Sequence, residues 1–353
     1  SIIPEWKKNY KFSGGIKSLI KCIFNTLLIQ SRRNKVEESE KIEILTFSIL
    51  PSITLHWLNV LTKIFPSKNI KYTVGDCSGS FKGRRYYPDL RHVPFINLEH
   101  GVKIDIFIRK VCNSEFILIC DDDIFLIDRS PIDWALDKLK SNKKLAAVSL
   151  FPRPEYKKRL NDYFKLYDGI NLRKDISRLM GSYCIIIRRD IWIRENLYFQ
   201  QVKPENWKDV GNFFDTADYS NLKLIELGYK IEFAPKSLQN KLIFFSSLSL
   251  WGIKIQSTLG NIHEAIKPRP GEYEKAYQTA VSIINFNEII RKRNYFNNTS
   301  LFPNTFLTKT IEICKRKLKK NDLKVLRTNL KKKFKKVNQI EKMYFINKYK
   351  SYG

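Results

Sequence analysis

Three consecutive carboxylates, Asp121, Asp122 and Asp123, follow directly on the apolar run Phe116-Ile117-Leu118-Ile119-Cys120. Adjacent acids repel one another, and the commonest reason for them to coexist is a hard divalent cation such as Mg2+ or Mn2+ with oxygen ligands. A cation held there would neutralise negative charge as it develops on a leaving group. If strand geometry persists, Asp121 and Asp123 face one side and Asp122 the other. An acidic turn without a ligand is the alternative, since Asp favours turns. Two more acids, Asp215 and Asp218, stand in Phe213-Phe214-Asp215-Thr216-Ala217-Asp218 just before a helix. Either is suited to cap the helix. His263 is a lone histidine in Gly260-Asn261-Ile262-His263-Glu264.

The elements that must position these groups follow an alternating grammar. Residues 42–50 read as a first strand and residues 54–65 as a helix. A second strand, Ile70 to Val74, runs into Gly75-Asp76-Cys77-Ser78. His100-Gly101-Val102-Lys103-Ile104-Asp105 opens a helix reaching about Val111, and the 116–120 strand comes next. Its unbroken apolar character fits a strand covered on both faces of a parallel sheet. In open α/β sheets the C-terminal ends of such strands are where ligands gather. Beyond the acids, Pro131–Leu139 reads as a helix, Ala146–Leu150 as a strand and residues 153–178 as an excursion over a cleft. Gly181–Ile187 makes another buried strand. A helix over Tyr219–Leu227, closed by Gly228, leads to a last strand over Tyr229–Phe233. Strand, helix and strand in alternation predict a doubly layered α/β domain.

Composition bounds the partners. The chain has 353 residues, 43% of them hydrophobic, which excludes wholesale disorder, and a net charge of +29 that calls for polyanionic surroundings. The six cysteines form neither a CxxC pair nor a zinc spacing, which fits a reducing compartment. Two overlapping sequons, at Asn297 and Asn298, matter only in a secretory lumen. No apolar run is long enough to span a bilayer. Two amphipathic stretches are basic. One carries Ile16, Leu19, Ile20, Ile23, Phe24, Leu27 and Leu28 at helical spacing. The other runs from Lys309 to Lys350, with 16 Lys and Arg against three acids, a net +13, and an apolar stripe through Leu323, Leu326, Leu330, Phe334, Val337, Ile340 and Tyr344. Each suits either packing on its own domain or lying on an anionic membrane surface. The organisation expected is a basic N-terminal segment (1–39), a catalytic domain (40–300) and a basic helical tail (301–353).

Taken in order, these motifs resemble the GT-A-fold glycosyltransferases, close to the family-2-like nucleotide-sugar enzymes, over roughly residues 40–265. The resemblance implies a central, mostly parallel sheet flanked by helices. It also implies transfer of a sugar from a nucleotide-diphosphate donor, most simply a UDP-sugar, to a hydroxyl of a glycan or lipid-linked acceptor. In that frame Asp121-Asp122-Asp123 is similar to the DxD motif: Asp121 and Asp123, with His263, bind Mn2+ or Mg2+, and Asp122 contacts ribose or sugar hydroxyls. Donor contacts carry over to Asp76, Ser78, Lys103, Asp105, Gly181 and Ser182, with Asp76 on the nucleobase. The catalytic base is Asp218 or Asp215. The absence of a Gln-x-x-Arg-Trp signature implies non-processive transfer, and the family implies inversion. A cytoplasmic enzyme peripheral to an inner membrane, building a surface polysaccharide or lipopolysaccharide, is the setting expected. Sugar nucleotidyltransferases share the fold, but the Gly-rich phosphate loop they need is absent at Pro51-Ser52-Ile53-Thr54. Metal-dependent nucleic-acid enzymes share the acids and suit the charge, but the basic residues concentrate in the tail and no nucleic-acid-binding signature is present, so no nucleic acid is expected.

Overall fold

The computed structural model describes residues 15–32, 42–66, 70–85, 87, 89–151, 179–201, 216–245, 248–266, 271–292 and 304–350. Asp215, the expected excursion over 153–178 and the sequons at Asn297 and Asn298 lie outside the described residues.

Strands β1 (Ile42–Ser48), β2 (Ile70–Asp76), β3 (Arg91–Pro94), β4 (Phe116–Cys120), β6 (Leu145–Ser149), β7 (Cys184–Arg188) and β8 (Lys230–Phe233) form one seven-stranded sheet. Its order is β3-β2-β1-β4-β7-β6-β8. Only β7 runs against the rest, pairing antiparallel with both β4 and β6. This is the mostly parallel, helix-flanked α/β sheet that the sequence predicts. β1, β4, β6 and β7 are buried at every position, because helices cover both faces. Alternate residues enter different cores: Ile44, Leu118 and Ile186 on one side, Leu45, Ile119 and Ile185 on the other. A two-stranded antiparallel ribbon of β5 (Ile124–Leu126) and β9 (Leu242–Phe244) stands beside the sheet. This ribbon and β3 go unread in the sequence, because their runs are only three or four residues long and no glycine-closed helix precedes them, as the helix closed by Gly228 precedes β8.

Helix α1 (Gly15–Ser31) buries only Cys22, Thr26 and Ile29, against the face that also receives α3 (His100–Lys110). Helix α2 (Pro51–Ile64) is enclosed by the opposite core. After α4 (Ser130–Ser141) and α5 (Arg189–Arg194) come α6 (Asp218–Glu226), α7 (Lys236–Gln239) and α8 (Leu248–Ser257). Gly228, at φ +78°, closes α6 in the left-handed region as predicted.

The last three helices, α9 (Glu272–Lys292), α10 (Asn304–Lys317) and α11 (Lys320–Lys350), pack back on the domain. The apolar stripe of α11, from Leu323 through Leu330 and Phe334 to Ile340, is buried in the same core as α2 and α9. That corrects the expectation of a tail laying its apolar stripe on a membrane: the stripe is already covered by protein. Among the described residues no helix is long and apolar enough to cross a membrane.

Candidate active site

β4 ends where the acids begin. The Asp121 amide donates to the Tyr183 carbonyl (2.9 Å), the last rung towards β7, and the Ile124 amide donates back to the Asp121 carbonyl (3.1 Å). The chain thus turns tightly from β4 into β5, and the three side chains diverge. Asp121 faces a cavity of about 330 Å³ with its side chain 38% exposed, its Oδ1 lying 3.8 Å from His100 Nε2. Asp122 is buried and accepts from the Thr54 hydroxyl of α2 (2.5 Å), which also reaches Ser48 Oγ at the end of β1 (2.7 Å). Asp123 is buried too. Its Oδ2 accepts from the Leu248 amide at the start of α8 (3.1 Å), and its carbonyl accepts from the Phe245 amide (3.0 Å). The other carboxylate oxygen, Oδ1, is buried with no hydrogen-bond partner among the described residues.

Burial sets the electrostatics. It pushes Asp122 up to about 7 and Asp123 up to about 6, while the Thr54 hydroxyl and the Leu248 amide pull them back. Burial, with repulsion from Asp123 and then Asp122, holds Asp121 well above the usual carboxylate range. Three acids in this condition favour a positive charge among them. The donor set is all oxygen and includes one orphaned buried carboxylate oxygen, which fits Mn2+ or Mg2+. Among the described residues no three His, Cys, Asp or Glu side chains are grouped to hold a cation by themselves.

The opposite wall comes from the segment entering α3. Lys103 is buried, donates to Asn97 Oδ1 (2.7 Å) and lies 5.0 Å from the centre of the Phe47 ring. It lines the cavity and favours the ionised forms of Asp121 and Asp122. Glu99 caps α3, accepting from the Gly101 and Val102 amides, which fixes His100 and Lys103 beside the acids. Ser182 and Tyr183 form the floor, and Ser249 and Leu250 of α8 form the far side. A Cβ on Gly181 would lie 2.4 Å from the Tyr183 ring, so glycine allows that ring to fold back, where it stacks on Phe244 (5.8 Å). From beneath, Lys333 of α11 donates to the Phe244 carbonyl (2.6 Å); burial lowers its ammonium and Asp123 draws it back up.

Several residues assigned from sequence stand elsewhere. Asp76 is 2% exposed and closes its own loop. Its Oδ1 accepts from the Ser78 amide and hydroxyl and the Gly79 amide, and its Oδ2 meets the Phe81 amide and His92 Nε2. Asp76 and Ser78 therefore shape the end of β2 and do not line the cavity. Asp105 sits on the same helix as Lys103 but accepts from the Phe199 and Gln200 amides (2.7 and 3.0 Å). That segment, Glu195-Asn196-Leu197-Tyr198-Phe199-Gln200, coincides with the recognition sequence of a protease tag, yet Leu197 and Phe199 are core residues. Asp218 is fully buried at the first turn of α6, behind Ala217 at φ +70°. His263 is exposed, meets the Tyr273 hydroxyl at 3.0 Å and takes no part in the cavity. Asp122 is tied to Thr54 rather than turned to a ligand's hydroxyls. The sequence places His100 at the helix start without assigning it a role. Tyr183 belongs to the Gly181-Ser182-Tyr183 motif, whereas Asn97 and Ser249 carry no signal of their own and become visible only when β4, β7, α3 and α8 converge.

No family model matches the chain, and no curated protein matches it. Among solved structures, it is similar to the mannosyltransferase PcManGT from Pyrobaculum calidifontis in complex with GDP-Man and Mn2+. The match has 12% identity and a TM-score of 0.40, and covers 91% of this chain and 94% of that one. It is also similar to glucosyl-3-phosphoglycerate synthase from Mycobacterium tuberculosis in complex with Mn2+ and UDP-glucose, at 12% identity and a TM-score of 0.33. That match covers 46% of this chain and 60% of the synthase.

Proposed function

We propose that the chain is a metal-dependent glycosyltransferase that moves a sugar from a nucleotide-diphosphate donor to a hydroxyl of a glycan or lipid-linked acceptor. One observation carries this reading: an acid triplet at the C-terminal edge of a central strand, with an orphaned buried carboxylate oxygen, facing a buried lysine across a 330 Å³ cavity. Such a site pairs oxygen ligands for a cation with a fixed charge for phosphate.

Asp121 and Asp123 would hold the cation, Mn2+ or Mg2+, and donor phosphate oxygens would complete its shell. Bound there, it supplies charge neutralisation as the nucleoside diphosphate departs. Lys103, pinned by Asn97, presents its ammonium to the same oxygens, and its pinned geometry saves reorganisation when charge develops. Asp122 and Thr54 hold the turn rigid beneath the acids. Ser182 and the Tyr183 ring offer a hydroxyl and an aromatic face to the sugar. The base role belongs to the Asp215/Asp218 pair, with inversion and non-processive transfer as the reaction course. Synthesis of a surface polysaccharide or lipopolysaccharide at the cytoplasmic face of an inner membrane is the setting.

The test is nucleotide release from a panel of UDP- and GDP-sugars with Mn2+, before and after chelation. Release that needs the metal, and that falls at least about a hundredfold in Asp123→Asn, is expected. Asp215→Asn and Asp218→Asn, compared in the same assay, separate the two base candidates. Absence of release from every donor, together with metal-independent calorimetric binding of the nucleoside diphosphates, would overturn the reading.

A further inference from the structure

Helix α1 has two unlike faces. Its inner face is fastened by side-chain bonds: Asn25 Nδ2 donates to the Pro94 carbonyl (2.6 Å) and Thr26 Oγ1 accepts from the Ile96 amide (3.1 Å). At its C-terminal end Lys110 Nζ donates to the Arg32 carbonyl (2.5 Å). The outer face is apolar, and among the described residues it is exposed. Ile16, Ile20, Phe24 and Leu27 recur one turn apart at 77%, 61%, 63% and 59% exposure, with Leu28 beside them at 43%. Nine large hydrophobic side chains are exposed among the described residues, and five of them lie on this one helix. The other four are scattered, as on any soluble surface.

We infer that the outer face of α1 is a docking surface for an anionic lipid bilayer. The helix carries no acid, and the exposed Lys17 and Lys21, one turn apart, sit beside the apolar stripe, with Arg32 just past its end. An apolar ridge for acyl chains flanked by cations for phosphate headgroups is what a helix lying in a membrane interface presents. Charge argues against a second copy of the chain as occupant. A two-fold contact through this face would bring Lys17 and Lys21 towards their equivalents with no acid on the helix to neutralise them. Because α1 is anchored on the end of β3 and the residues just after it, next to the Asp76 loop, docking would hold that end of the sheet against the bilayer. The inference stands on this surface alone and does not require the glycosyl-transfer reading.

The test is sedimentation of the full chain with phosphatidylcholine vesicles, with and without phosphatidylglycerol, at low and high salt. Binding should need the anionic lipid and weaken with salt. Phe24→Glu with Leu27→Glu should reduce the partition constant by roughly tenfold or more while leaving the melting temperature unchanged, since both side chains are exposed. Lys331→Glu with Lys335→Glu on α11 should change it far less. All six native cysteines are buried, so Phe24→Cys provides a single accessible thiol. A polarity-sensitive label there should shift to an apolar environment on vesicle addition. Wild-type binding by the double glutamate variant, an unshifted label, or a concentration-dependent dimer that the same variant abolishes would each overturn the proposal.

Discussion

Asp105 shows how a carboxylate can sit one turn from a site and serve the scaffold. Its oxygens are spent on the Phe199 and Gln200 amides, and burial pushes it up to about 7 although those two bonds pull it down. In the unfolded chain an aspartate titrates near about 3.9. Between those values the native state holds more protons than the unfolded state, so stability falls as pH rises. The contribution is complete below about pH 4 and is lost as pH passes about 7. Asp105→Asn cannot ionise, so the change in melting temperature between about pH 5 and about pH 8 should be smaller than in the parent chain. A residual slope should remain, because Asp122 and Asp123 are raised in the same direction. Equal slopes in the two proteins would remove Asp105 from this account. The sequence could place Asp105 on the helix beside Lys103 but could not say which backbone its carboxylate would meet, since Phe199 is brought there by the fold. Asp76 shows the same pattern. Its strand-end position was legible, and the loop amides and histidine that occupy it were not.

At the scale of elements, α3 is positioned by a close approach that only glycine allows. A Cβ at Gly101 would lie 2.3 Å from the Phe199 carbonyl oxygen and 2.5 Å from Gln200 Cα, both backbone atoms. Backbone cannot swing aside as a side-chain end can, so Gly101→Ala should displace either the start of α3 or the 199–200 segment. A loss of about 1–3 kcal/mol in chemical denaturation is expected. Nucleoside diphosphate affinity should fall as well, because His100 and Lys103 move with the helix. Full affinity and stability in the variant would show that the two segments yield freely. The sequence signals this helix through His100-Gly101-Val102, and it signals β1, β2, β4, β6 and β7 through strand-forming runs of five residues or more. The β5–β9 ribbon lacked such a run, and its two strands are joined only by the fold. The site followed the same division. The acids and Lys103 are legible because they cluster at a strand end and a helix start, whereas the walls supplied by Asn97 and Ser249 depend on chain crossings that no local pattern encodes.

For the whole molecule, the net charge of +29 goes with two basic amphipathic helices, each suited by sequence either to packing on the domain or to a membrane surface. Burial separates them: α11 spends its apolar stripe on the protein, and α1 leaves its stripe outside. The packing of α11 reaches the site through aromatic contacts. Phe334 meets Phe245 (4.9 Å) and Phe286 (5.0 Å), the Phe245 amide holds the Asp123 carbonyl, and Lys333 holds Phe244. The tail helix is therefore part of the core that fixes the acid turn. Phe334→Ala would leave a cavity in that cluster and should cost about 3 kcal/mol or more in thermal or chemical unfolding. Its effect on Mn2+-dependent nucleotide binding should exceed that of Lys331→Glu, which alters an exposed side chain on the same helix. Deleting residues 320–353 should expose the apolar faces of α2 and α9 and give an aggregating chain rather than a stable shortened domain. A truncated chain that melts like the parent and keeps its nucleotide affinity would show that the tail merely rests on the domain.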